Sequence, residues 1–152
     1  LRVAYVGDSN NVSNSLLLAA PLAGYEMAIA SPEGFLPDEA IVAEADRAGG
    51  RYEITTSPKE AVSGADIIYT DTWVSMGSED EHDARLRAFA GFTVDEALVE
   101  PAQDSLKVLH CLPAHRGEEI AGPVMDGPSS LIWNQAENRL HAQKALMMML
   151  LK

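Results

Sequence analysis

Leu109-His110-Cys111-Leu112-Pro113-Ala114-His115-Arg116-Gly117 holds the chain's single cysteine, two of its four histidines and a proline directly after an apolar run. Val108-Leu109 reads as the end of a buried strand. Pro113 lacks the N–H that a central ladder needs, so the strand stops before it. Polar, reactive groups are therefore delivered where a strand ends, which is where ligands bind in an open α/β sheet.

Working outward, β-rich runs at Arg2–Val6, Glu26–Ala30, Tyr52–Thr56, Asp66–Thr70 and Lys107–Leu109 alternate with helical stretches. The first helix reads from Ser13 to Ala23, capped by Ser13 or Asn11, and is expected to end early or kink at Pro21. The second starts at Pro37-Asp38 and runs to about Ala48, where Gly49-Gly50 stop it. Ser57-Pro58 opens a short third helix to about Val62. His82 to Ala90 and Asp95 to Glu100 read as two more, and Asn134 to Leu151 as the last. This alternation predicts an α/β fold: a three-layer, doubly wound, Rossmann-like parallel sheet of about five strands with right-handed crossovers.

At 152 residues the chain is one domain, with apolar and charged contents ordinary for a globular protein. Eleven basic against 23 acidic residues leave a net charge of −12, which repels phosphate backbones and argues against nucleic acid as partner. Leu16 to Leu22 is too short for a membrane span and contains Pro21. There is no basic leader with a cleavage pattern, and one cysteine makes no internal disulfide, so the cytoplasm is the expected compartment. The chain opens on Leu1, already entering a strand. It closes on Ala145-Leu146-Met147-Met148-Met149-Leu150-Leu151, apolar on every helical face. Both features lead us to expect a piece of a longer protein, with that apolar end packed on the remainder.

In a parallel sheet the loops after strands one, four and five share one edge. The first offers Asp8, Asn10 and Asn11 at a helix entrance, a place suited to a carboxylate, although turn and cap duties explain the asparagines equally well. Its Gly7-Asp8-Ser9-Asn10-Asn11-Val12 is not the dinucleotide pattern G-x-G-x-x-G. No acidic residue ends strand two, where a ribose ligand would stand; Ser31-Pro32 is there instead. The second loop starts at Asp71, partly desolvated at a strand end and suited to a cationic partner such as an amine. Ser75 can add a hydrogen bond. Glu79, Asp80 and Glu81 read as a solvated face. In the third, Cys111 is either a thiol nucleophile, a proton acceptor or a small buried hydrophobe. His82 and His141 read as surface or packing residues, and Arg139 as either an oxyanion ligand or a surface ion pair with Glu137 or Asp126. No second cysteine or spaced ligand pair points to zinc, so no metal and no cofactor is expected.

Taken together, Gly7-Asp8-Ser9-Asn10-Asn11, Asp71-Thr72-Trp73-Val74-Ser75-Met76-Gly77, His110-Cys111-Leu112-Pro113 and Glu137-Asn138-Arg139 resemble the ornithine carbamoyltransferase family. The resemblance covers nearly the whole chain. It implies the reaction of carbamoyl phosphate with L-ornithine to give L-citrulline and phosphate, in arginine biosynthesis or in reverse. It also implies that residues 1–152 are the ornithine-binding half of a two-domain enzyme. Asn11 would then hold the ornithine carboxylate end, Asp71 and Ser75 the α-amino group, and the Met76 backbone the amino-acid end. Cys111 would lie by the reacting δ-amine and Leu112 near the carbamoyl group, with a cis Leu112–Pro113 bond. Arg139 would reach carbamoyl phosphate. The family's Ser-x-Arg-Thr and His-Pro-x-Gln segments, which lie in its carbamoyl-phosphate-binding N-terminal domain, do not occur here. Family members are homotrimers joined largely through that domain, so the fragment alone is expected to be inactive. A carbamoyltransferase for another amine, such as putrescine or an acylated ornithine, is the alternative within the class. A non-catalytic amino-acid-binding module is the alternative outside it.

Overall fold

The computed structural model describes residues 1–74, 81–100, 102 and 105–151. Five parallel strands form one sheet in the order β3-β2-β1-β4-β5. They are β1 (Arg2–Val6), β2 (Glu26–Ala30), β3 (Tyr52–Thr55), β4 (Ile67–Thr70) and β5 (Lys107–His110). The helices are α1 (Asn11–Ala23), α2 (Glu39–Arg47), α3 (Pro58–Val62), α4 (His82–Ala88), α5 (Glu96–Val99), α6 (Gly122–Met125) and α7 (Ile132–Leu150).

Strand periodicity splits the core in two. Ala4 and Val6 of β1 join Ala28, Ile68, Val108, Phe89 and Leu98 on one face. Tyr5 points the other way, with Leu17, Ala20, Met27, Ile29 and Ala45 under α1 and α2. Both faces of the central strands are covered, so they read as near-continuous apolar runs rather than as alternating ones. The predicted three-layer α/β architecture is what forms.

The strand order positions the site. From β1 the chain winds outward through β2 to β3, then crosses back over β1 to lay down β4 and β5. The order in which strands are added reverses between β1 and β4, the switch point where loops diverge and leave a crevice. Register completes the alignment. Val6 pairs with Thr70, and Thr70 pairs with His110. The next residues, Gly7, Asp71 and Cys111, therefore leave the sheet side by side. Gly7 has φ +145 and backs onto Thr70 Oγ1 and the Asp71 carbonyl, a position that suits no side chain.

Several local expectations need correction. Asn10, not Ser13 or Asn11, caps α1: its Oδ1 accepts from Val12 N–H at 2.8 Å. The helix does not stop at Pro21 but runs to Ala23, closed by Gly24 in the left-handed region. Pro21 stands in the last turn, so its missing N–H weakens the end of the helix without dividing it. The last helix starts at Ile132, two residues before the predicted Asn134. Among the described residues, no helix is long and apolar enough to cross a membrane.

Candidate active site

A cleft of ≈ 480 Å³ opens above the switch point. Asn11 and Val12 line it from the start of α1, which follows β1, Asp71, Thr72 and Val74 from the loop after β4, and Cys111, Leu112, Pro113 and His115 from the loop after β5. Three separate strand ends thus supply one concavity. Ser75 and Met76 lie outside the described residues.

Asp71 is the centre of the polar network and is only 7% exposed. Its Oδ1 accepts from the Cys111 thiol at 2.8 Å and from the Thr72 N–H at 2.8 Å. Its Oδ2 accepts from Asn10 Nδ2 at 2.9 Å. A carboxylate offers about four acceptor positions, so three donors leave room for one more. Among the described residues no Lys, Arg or His lies within ion-pair distance of it. A buried carboxylate with neutral partners and one open acceptor position, at the wall of a cleft, is built to take a cation from outside.

Cys111 does not behave as an activated nucleophile. Burial first, and then the facing Asp71 carboxylate, pushes its thiol up to about 12. The sulfur is a neutral donor at physiological pH, and among the described residues neither histidine bonds to it. Tyr69, the residue two before Asp71 on β4, has its hydroxyl raised to about 12, by burial first and then by Cys111.

His110 is fully enclosed and is held at both nitrogens. Nδ1 accepts the Leu112 N–H at 2.8 Å, so Nε2 carries the hydrogen facing Glu119 Oε1 at 3.1 Å. Glu119 Oε1 also accepts from His115 N–H. These bonds fix the turn that contains Leu112, a non-glycine residue at φ +61 followed by a cis bond to Pro113. Gln135, on the first turn of α7, clamps the same strand end. Its Oε1 accepts from His110 N–H at 3.0 Å and its Nε2 donates to Tyr69 Oη at 2.8 Å. On the other side Arg85 of α4 donates to Asp8 Oδ2 at 2.6 Å and to the Trp73 carbonyl at 2.9 Å. Burial raises the Asp8 carboxyl even though Arg85 pulls it down.

The sequence reading brought Asn11, Asp71, Cys111 and Leu112 to one place, and they are together. Arg139 is apart from them: it is exposed on α7, one turn beyond Gln135, and does not line the cleft. Its suggested surface pairs do not form either, because Asp126 pairs with Arg116 and Glu137 lies near His141. His82, read as a surface or packing residue, instead lines the cleft from the start of α4. Gln135 and Glu119 escape the sequence reading, and no local signal marks them. Asn10 is placed there at the helix entrance beside Asn11, but its bond to Asp71 is not. Ser31, at the end of β2, is buried and donates to the Gly7 carbonyl at 2.7 Å, a structural duty that leaves no ribose ligand there.

Residues 1–150 match the family model described as aspartate/ornithine carbamoyltransferase, Asp/Orn binding domain. A protein of Methanoculleus marisnigri named ornithine carbamoyltransferase is 54% identical over 151 residues, which is 99% of this chain and 49% of that protein. One from Acidothermus cellulolyticus, with the same name, is 55% identical over 155 residues, 99% of this chain and 50% of its own length. The crystal structure of ornithine carbamoyltransferase from Thermus thermophilus superposes with a TM-score of 0.87 at 45% identity, covering 100% of this chain and 48% of that one. The Pyrococcus furiosus structure gives 0.89 at 47% identity, covering 97% and 48%. The chain spans about half the length of the relatives it matches.

Proposed function

Since the chain belongs to the aspartate/ornithine carbamoyltransferase family, matching its Asp/Orn-binding domain, we propose that it is the amino-acid-binding half of an ornithine carbamoyltransferase. The whole protein would transfer a carbamoyl group from carbamoyl phosphate to the δ-amine of L-ornithine, giving L-citrulline and phosphate. The observation that carries this reading is the buried Asp71 carboxylate, with no cationic partner among the described residues, at the cleft wall.

Ornithine presents two ammonium groups and a carboxylate. The α-ammonium takes the remaining acceptor position of Asp71, with Ser75 and the Met76 backbone supporting it. The α-carboxylate lies toward Asn11 at the α1 entrance, where the helix dipole favours negative charge. The δ-amine lies beside Cys111. As an ammonium it is no nucleophile, and desolvation in the cleft lowers its pKa and releases the proton. The thiol, held neutral by burial and by Asp71, stays a hydrogen-bond partner and forms no carbamoyl thioester. The amine attacks the carbamoyl carbon directly, near Leu112. The rest of catalysis is orientation and stabilisation of charge on the leaving phosphate. Carbamoyl phosphate is held mostly by an N-terminal domain outside these residues, with Cys111 and Leu112 as this half's contribution from the cleft. We place the full-length protein in the cytoplasm as a homotrimer.

The test is a product assay on the full-length protein with carbamoyl phosphate and, separately, ornithine, aspartate, putrescine and N-acetylornithine. Citrulline from ornithine alone is expected. Asp71→Asn should lower kcat/KM for ornithine roughly a hundredfold, the worth of a charged hydrogen bond in a dry site. Carbamoylation of a different amine, or an Asp71→Asn enzyme with unchanged kcat/KM, overturns the assignment.

A further inference from the structure

We propose that His115, Glu118 and Glu119, with His82 of α4 beside Glu118, form a binding site for a divalent transition metal such as Zn2+ at the mouth of the cleft. The site does not depend on the substrate assigned above. Gly117, at φ +91, folds the chain back on itself, and Glu118 N–H donates to the His115 carbonyl at 3.1 Å. That turn brings one ligand atom each from His115, Glu118 and Glu119 within 4.8 Å of one another.

Glu119 supplies the decisive observation. The residue is fully buried, and its Oε1 is engaged by His110 and His115 N–H. Its Oε2 is equally buried and has no hydrogen-bond partner among the described residues. Leaving a carboxylate oxygen dry and unpaired is costly, so the group is waiting for something. The nearest candidate is His115 Nδ1, at 3.6 Å. From α4, His82 Nε2 stands 3.4 Å from Glu118 Oε1. Charge-assisted hydrogen bonds run at about 2.7–2.9 Å, and both pairs are well beyond that. Two ligands bound tetrahedrally at about 2.0–2.1 Å sit roughly 3.3 Å apart, and both pairs are near that value. His115 Nδ1 also lies 3.3 Å from Thr72 Oγ1, a contact an ion would displace.

The donor set selects the ion. Imidazole with carboxylates suits Zn2+, Co2+ or Ni2+, whereas Mg2+ and Ca2+ prefer all-oxygen shells. His115 and His82 are both partly exposed, so an ion can enter from solvent. The bound ion would tie the loop after β5 to α4 across the cleft entrance and so couple metal binding to access.

Co2+, a spectroscopic stand-in for Zn2+, is titrated into the full-length protein, followed by competition with Zn2+. We expect one Co2+ per chain with a visible band of nitrogen and oxygen ligation and no thiolate charge-transfer band. Cys111→Ser should leave it unchanged. His115→Ala should abolish it, and His82→Ala should weaken it about tenfold, as loss of a supporting group does. Circular dichroism checks that each variant is folded, and Glu118→Gln replaces His115→Ala if that variant is not. A thiolate band that vanishes in Cys111→Ser, equal Co2+ binding by wild type and the ligand variant, or no Co2+ binding at all overturns the proposal.

Discussion

The floor of the cleft and the far end of α7 treat their side chains in opposite ways. At the cleft floor, Asp71, Asn10, Cys111, His110 and Gln135 come from four parts of the chain and hold one another in place, with one acceptor position of Asp71 left open. The chain needs nothing else to hold them. Along the end of α7, Leu146, Met147, Met148, Met149, Leu150 and Leu151 are all 55% to 85% exposed. They are apolar, adjacent and without a matching surface among the described residues. A polar network is complete when its donors and acceptors are paired, whereas an apolar face is complete only when something covers it. The first region is self-sufficient; the second is not.

The largest effect that sharpens this contrast concerns Cys111. With its thiol raised to about 12, the neutral form persists through neutral pH and the thiolate emerges only as pH approaches that value. Between about pH 6 and 9 the thiolate fraction should lie about a thousandfold below that of an ordinary cysteine, at 1.4 kcal/mol per tenfold. Alkylation by iodoacetamide should be correspondingly slow. Asp71→Asn removes one of the two raising influences, so the midpoint of the rate against pH should move down. Rapid alkylation of wild type at pH 7 would break the picture of a closed network.

A smaller effect is expected at Gln135. Gln135→Ala leaves the His110 N–H and the Tyr69 hydroxyl without their shared partner and should cost about 1–3 kcal/mol. The denaturation midpoint of the full-length protein measures it. A change within about 0.5 kcal/mol would mean that water replaces the amide and that the network is not self-contained.

The smallest effect belongs to α7. Met148→Gln with Leu150→Gln should change the unfolding free energy of the 152-residue chain by less than about 0.5 kcal/mol, as for other exposed positions. The same pair in the full-length protein should be clearly destabilising, since we expect the face to be covered there. Equal, negligible shifts in both would place the helix end in solvent throughout, and the difference between the two regions would disappear.

Much of this was legible along the chain. β1, β2 and α3 occupy the predicted residues, since Pro58 at a helix start and short apolar runs bounded by turn formers are local signals. Asn11, Asp71, Cys111 and Leu112 could be grouped because parallel strands all end on one edge. Asn10's capture of the helix cap was not readable, because three polar residues competed for it and the winner also bonds Asp71 across 61 positions. Gln135 was hidden for the same reason: its partners, Tyr69 and His110, lie 66 and 25 positions away. His82 looked like a helix residue and is one, but the face it presents was settled by how α4 packs. Arg139 carried a motif, yet its helix turns it away from the cleft within these residues.

By itself, then, the sequence determined the α/β alternation, the two buried faces, the strand ends that carry polar groups and the family to which they belong. Those features depend on periodicity, turn chemistry and residue type, all of which act over a few residues. Only the tertiary structure decided the strand order β3-β2-β1-β4-β5, the register that sets Gly7, Asp71 and Cys111 flush, and the pairing of Asp71 with Asn10 and the Cys111 thiol. Those depend on which distant surfaces bury the most apolar area while leaving no polar group unpaired, a choice the whole chain makes at once.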